Sequence, residues 1–264
     1  MSTPPRRPPI TLAIPAGLGV AIVVVPVFGL LQRAPWTSLL DRLSSEAVTE
    51  AIRVSLVVSV TAAAVATTLG LPLAWFLART DGPVSTTIRA VVLVPMVLPP
   101  VVGGTALLFA LGRRGVVGQR LDDWFGITLP FTTAGAVIAA TFVALPFFVT
   151  TVEAALRQAG TELEEAAAVS GASPLTSFVT VTIPAARDAV LAGVTLAWAR
   201  ALGEFGATIT FAGNLAGETR TLPLEIFLAL ESDPESAVAV SVLLLAVSLG
   251  VLVALRGRWF NRHG

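Results

Sequence analysis

The 264-residue sequence contains no cysteine, no lysine and no tyrosine, and its one histidine is His263. Without thiols there is no disulfide, no thiolate nucleophile and no iron–sulfur ligation, and one histidine cannot build a histidine-rich metal site. A P-loop needs a lysine on the β/γ-phosphates, so this chain is not itself a Walker-type nucleotidase. Charge is scarce too. Charged residues make up 13% of the chain, about half the share in an average soluble domain. Seventeen basic residues, all arginine, balance 17 acidic ones; a nucleic-acid partner would call for a basic surplus. What the chain has in abundance is apolar surface: 55% of residues are hydrophobic, and the mean hydropathy is +0.83.

A hydrocarbon core about 30 Å thick needs roughly 20 apolar residues in a helix. Six stretches reach that length: 11–31, 51–78, 88–111, 132–156, 189–212 and 237–255. Strands of an outer-membrane barrel would be about half as long and would alternate apolar with polar residues. The sequence therefore predicts an all-α integral membrane protein with about six transmembrane helices, forming one domain over 10–264. Residues 1–9, Pro-rich and polar, are expected to be a disordered cytoplasmic tail. The first stretch follows Arg6 and Arg7 like a signal peptide, but it is longer than a usual signal core. The Leu31-Gln32-Arg33-Ala34-Pro35-Trp36 segment is also a poor cleavage site. It is expected to be retained as a helix.

Six spans put both termini on one side of the membrane. With the termini inside, the cytoplasmic face holds Arg6, Arg7, Arg79, Arg89, Arg157, Arg187, Arg256, Arg258 and Arg262, against Arg33, Arg42, Arg113, Arg114, Arg120 and Arg220 outside. This imbalance predicts a multi-pass protein of the cytoplasmic membrane with both termini cytoplasmic.

The connection after the fourth stretch, 158–186, carries strong local signals. Thr161 followed by Glu164 reads as a capping box opening a short helix with an acidic first turn. Gly171 stands where a helix C′ residue needs positive φ. Ser173-Pro174 reads as an N-cap and N1 proline starting a second short helix, expected to end before Pro184. Between the caps lies a face of small residues, Ala166-Ala167-Ala168, which lets another surface approach the backbone. The ordinary alternative is a helix lying on lipid, which its acidic residues fit poorly.

The pattern Glu165-Ala166-Ala167, three residues, Gly171, then Val181-Thr182-Ile183-Pro184 resembles the EAA loop of ABC importer permeases. Farther on, the segment from Ala199 to Asn214 (ARALGEFGATITFAGN) is similar to the oxyanion branch of that family. Gly217-Glu218-Thr219-Arg220-Thr221-Leu222-Pro223-Leu224-Glu225-Ile226 is similar to its molybdate permeases. The resemblance implies a type I ABC importer permease fold, functional as a dimer of two copies of this chain. It also implies cytoplasmic ATP-binding subunits, an extracytoplasmic oxyanion-binding protein, and no cofactor here, with ATP and Mg on the partner. Glu164, Glu165, Ala166, Ala167, Gly171 and Pro184 would then couple to the ATPase, and no residue would be catalytic. The cargo the resemblance implies is a tetrahedral oxyanion, molybdate or tungstate, with sulfate or thiosulfate as the alternative. Sulfate permeases are expected to pair unlike subunits.

Arg200 and Glu204 lie deep in the fifth stretch, roughly 20–25 Å from its cytoplasmic end if the helix is continuous. Charges at that depth pair or line a wet cavity, and at i,i+4 these two share a helix face. They are either an ion pair closing the bundle or a gate, and the two roles are compatible. Arg200 is not expected to bind substrate, because a tight cationic site would slow release of a dianion. Gly203, Gly206 and Thr208 make the outer half of that stretch small and hydroxylated, for pathway lining or for close packing. In the third stretch, Pro99 and Pro100 interrupt the hydrogen-bond ladder near mid-membrane. With Gly103 they form either a packed kink or a pore-lining break; the segment 97–104 resembles the pathway helix of molybdate permeases. The outer loop 214–236 is expected to be a solvated loop or a docking surface for the binding protein.

A secondary transporter would show proton- or sodium-relay carboxylates within its spans, and only Glu204 and Glu153 qualify. An intramembrane enzyme would need a nucleophile–base pair or a metal cluster at depth, for which the spans hold no residues.

Overall fold

The computed structural model describes residues 10–260, and every regular element among them is helical. In chain order the helices are α1 (Ile10–Gln32), α2 (Leu39–Leu43), α3 (Glu46–Arg79), α4 (Pro83–Val97), α5 (Pro100–Leu111), α6 (Gly118–Phe125) and α7 (Thr133–Ala159). They continue with α8 (Glu162–Val169), α9 (Pro174–Ser177), α10 (Ile183–Ala185), α11 (Arg187–Leu202), α12 (Gly206–Phe211), α13 (Leu222–Ser232) and α14 (Pro234–Phe260). The expected tail, residues 1–9, lies outside the described residues, as does His263.

The core is a three-helix packing of α3, α7 and α11. Its facing positions are mostly small: Ala62 and Ala66 on α3, Ala136, Ala140 and Ala144 on α7, Ala197 and Ala201 on α11. In lipid there is little hydrophobic drive between helices, so association relies on close van der Waals contact, which small side chains permit. α1 packs on α14 and keeps its apolar side chains exposed, from Leu12 to Phe28. That suits a helix whose solvent is lipid.

Among the described residues, four helices are long and apolar enough to span a membrane, or up to six if each of two bent pairs counts as one span. Two expected spans are not single helices. The third stretch is not one kinked rod: α4 and α5 meet at a bend of 117°. Leu98 (ψ 135°) and Pro99 (ψ 135°) are both extended. Each precedes a proline, whose ring disfavours the helical region for the residue before it. Two extended residues in succession fold the chain back.

The fifth stretch also breaks. α11 ends at Leu202, and the Glu204 carboxylate accepts the Ala207 N–H at 2.8 Å to start α12. A side chain that caps the next turn competes with continuation of the previous helix. Upstream, the second short helix does not stop before Pro184. A π-turn over Phe178–Thr182 leads into α10, where Pro184 sits in the first turn and needs no N–H. α9–α10 meets α11 at 77°.

Candidate coupling surface and membrane-embedded break

On one face the chain forms a helix–turn–helix hairpin from α8 to α10. Its turn follows the sequence signals at Gly171 and Ser173. Gly171 takes φ +87°, and its N–H reaches Ala168 O at 2.9 Å. The Ser173 hydroxyl accepts the Thr176 N–H at 3.2 Å. The capping box at Thr161 does not form. Thr161 instead donates its hydroxyl to Glu165 at 2.5 Å, and Glu164 turns inward. The outward surface carries Leu163, Val169, Leu175 and Val179, with Glu165, Ala166, Gly171 and Pro184 also exposed and Ala167 half-buried.

Glu164, expected at the partner surface, is instead bound by its own chain. Its carboxylate accepts from Arg79 Nε and Nη2 at 3.0 Å each, from Thr182 Oγ1 at 2.7 Å and from Trp75 Nε1 at 3.3 Å. Arg79 also donates to Leu156 O (2.9 Å) and Gly160 O (2.8 Å). One carboxylate thus ties the hairpin to the ends of α3 and α7. Burial pushes the Glu164 carboxyl up, but the hydrogen bonds from Arg79 and Thr182 and the Arg79 charge outweigh it and hold the pKa below its ordinary 4.5.

Beside this tie, Glu153 accepts from Arg89 Nε (2.6 Å) and Arg157 Nε (3.2 Å), and Arg157 also reaches Asp81 at 3.0 Å. A carboxylate held by two guanidiniums is a poor proton relay, which removes one feature a secondary transporter would need. Arg79, Arg89 and Thr182 drew no site reading from the sequence. The carboxylates that Arg79 and Arg89 bind lie 85 and 64 residues away, beyond any local pattern, and Thr182 entered only as a position within the EAA-like pattern.

At the other end of α11 lies the break. Arg200 Nη1 is 2.7 Å from Glu204 Oε2, and the Glu204 side chain is 2% exposed. A cavity of ≈ 140 Å³ opens against Arg200, walled by Pro95, Pro100, Gly103, Phe142 and Phe147 among others. α12 packs on α5 at backbone distance. A Cβ on Gly206 would stand 2.5 Å from Pro100 Cβ, and one on Gly104 would stand 2.8 Å from Ala207 O. Gly104 is therefore the tight contact of α5, more than Gly103, whose nearest neighbour is the Phe142 ring edge at 3.1 Å. Thr208 is buried, and its hydroxyl has no partner among the described residues. Gly203 closes α11 without crowding any neighbour. Of the expected pathway residues, the fold brings Pro99, Pro100, Gly103, Arg200, Glu204 and Gly206 to one break.

The loop 214–236, expected outside, is more structured than a solvated loop. Arg53 donates to Gly217 O (3.0 Å), Thr133 to Glu218 O (2.9 Å), and the Leu222 N–H to Ser55 Oγ (2.7 Å), after which α13 begins. Arg42 ties α2 to the start of α14 through Asp233 at 2.8 Å, Ser236 and Glu235.

Residues 68–263 match the family model described as "Binding-protein-dependent transport system inner membrane component". The chain is 43% identical over 259 residues to the "Molybdenum transport system permease protein ModB" of Mycobacterium tuberculosis, covering 97% of this chain and 96% of the relative. It is 39% identical over 213 residues to the Escherichia coli protein of the same name, covering 81% and 93%. It is 36% identical over 238 residues to the "Sulfate transport system permease protein CysT" of Salmonella typhimurium, covering 89% and 86%. Among solved structures, a bacterial ABC transporter involved in import of the acidic polysaccharide alginate superposes with a TM-score of 0.77. It is 16% identical and covers 97% of this chain and 96% of that one, a likeness of fold.

Proposed function

Because this chain belongs to the inner membrane components of binding-protein-dependent transport systems, we propose that it is the membrane-spanning permease subunit of an ATP-driven molybdate importer. The observation that carries the cargo is the 43% identity, over nearly the whole chain, to relatives named as molybdenum permeases; the sulfate relative is less similar. The permease does no chemistry. Two copies form the pathway, both termini are cytoplasmic, two ATP-binding subunits dock inside and an oxyanion-binding protein docks outside.

In this reading the hairpin is the coupling element. Its exposed Leu163, Val169, Leu175 and Val179 supply an apolar contact, Glu165 a charge, and the small Ala166 lets the partner approach the helix backbone. ATP binding closes the ATPase pair and draws the two hairpins together. The Arg79–Glu164 tie passes that movement to α3 and α7, and the break where α5 meets α12 changes its opening. The test is uptake of labelled molybdate into vesicles holding this chain, its ATPase, ATP and the binding protein. Uptake that needs ATP and is blocked by tungstate but not by sulfate supports the reading. Equal block by sulfate reassigns the cargo, and uptake indifferent to ATP overturns it.

A further inference from the structure

Arg200 meets Glu204 in an ion pair through only one of its nitrogens. Nη1 makes that contact at 2.7 Å, whereas Nε and Nη2 have no partner among the described residues. A guanidinium carries five N–H donors in a fixed fork, so at least three are unused. The side chain is 27% exposed, and it lines the cavity at the α4–α5 fold-back. At ≈ 140 Å³ that cavity has room for several waters, since one needs about 10–15 Å³ by this measure. Its remaining walls are mainly apolar: Pro95, Met96, Leu98, Phe142 and Phe147. Thirteen residues separate Arg200 from Arg187 at the start of α11, roughly 20 Å of helix. An arginine with spare donors at that depth needs water or an anion.

We propose that Arg200 is a transient contact for the transported anion. The cavity receives one partly hydrated tetrahedral oxyanion, which accepts hydrogen bonds from Nε and Nη2 while Nη1 stays on Glu204. The forked geometry suits two oxygens of one anion. The objection to a cationic site in a pathway is slow release, and Glu204 answers it. That carboxylate is fixed by both Arg200 and the Ala207 N–H, so its negative charge offsets the guanidinium. The anion meets a weak, oriented pair of donors instead of a bare charge. Conduction requires this balance, a site favourable enough to enter and weak enough to leave. The inference rests on the importer reading above and adds to it the residue that the anion touches inside the membrane.

The test uses the full complex with its binding protein in vesicles, and reads labelled molybdate imported per ATP hydrolysed. Arg200→Lys keeps a charge opposite Glu204 but removes the fork; the double variant R200Q/E204Q removes both charges and leaves no buried carboxylate unpaired. Both are expected to lower anion imported per ATP by about tenfold, as loss of charge-assisted donors implies. A purely structural pair would lower assembly and both rates together, leaving the ratio at the parent value, and that result in either assembled variant overturns the proposal. Failure of both variants to assemble also overturns it, because a guanidinium needed to hold the bundle is not spare for an anion. If the unaltered complex shows no ATP-dependent import, the importer reading fails, not this residue's role.

Discussion

Replacing Glu164 with glutamine probes the joint between the hairpin and the helix bundle. The carboxylate and its Arg79 partner are 18% and 15% exposed. That places the pair between surface ion pairs, worth about 0–1 kcal/mol, and fully buried ones, whose disruption costs about 3–5 kcal/mol. Glutamine keeps the shape and an acceptor but loses the charge under four donors, so about 2 kcal/mol is the expected loss. That energy resists local opening of α8 away from α3 and α7. At 1.4 kcal/mol per tenfold, amide exchange in residues 162–169 should quicken about 30-fold. The assay is hydrogen exchange by mass spectrometry in nanodiscs, with peptides of the α3–α7 core as the internal reference. A change below about threefold, or one spread evenly over the core, would refute the idea that this carboxylate anchors the hairpin. The same experiment has a pH arm. The folded pKa of Glu164 lies below 4.5, so its stabilisation is fully present above that value and is lost as pH falls through the folded pKa. The difference between parent and variant should stay constant from about pH 8 to 5 and shrink only below about 4.5.

Three further substitutions test the close contacts and the turn. Gly104→Ala would put a Cβ 2.7 Å from Thr210 Cβ and 2.9 Å from Ala207 Cα, where α12 backbone cannot yield; overpacking of this kind costs about 1–3 kcal/mol. Gly103→Ala meets only one aromatic edge, so thermal unfolding in detergent should rank Gly104→Ala clearly below it, and equal losses would contradict the α5–α12 contact. Gly171→Val forces a β-branched residue to φ +87°, at roughly 1–2 kcal/mol or more. The variant should insert normally yet lose ATP-dependent import, and an inserted variant with normal coupled uptake would remove the hairpin from the coupling role.

The signals that were legible in the sequence were local ones. Spans show themselves by length and hydropathy, and the caps at Gly171 and Ser173 by residue types that few other backbone positions want. The Pro99-Pro100 pair announced a break, but not its angle, because two prolines fix the dihedrals of the residues before them without saying where the next helix packs. The break at Gly203 was hidden for a different reason. Arg200 and Glu204 at i,i+4 fit an unbroken helix equally well, and only the Glu204–Ala207 bond decides for a new one. The Thr161 capping box failed because Glu164 found stronger donors in Arg79 and Thr182. A local rule lost to a charge-assisted tertiary contact.

Arg79, Arg89 and Arg157 could be read from the sequence only as markers of membrane orientation, yet they organise the face that carries the hairpin. Arg79 reaches Glu164, Leu156 O and Gly160 O; Arg89 reaches Glu153, Leu77 O and Thr80 O; Arg157 reaches Glu153, Asp81 and Leu77 O. Each guanidinium thus binds a carboxylate and, at the same time, carbonyls at or beside the C-terminal ends of α3 and α7, which have no partner within their own helices. A lysine ammonium is a compact point charge without the planar fork, and it would have to choose among these partners. The absence of lysine from the chain therefore has a structural consequence at this face. The C-terminal ends of α3 and α7, the base of α4 and the hairpin are cross-linked by planar donors. The fold-back at Leu98–Pro99, by contrast, is held by the close packing of α5 on α12.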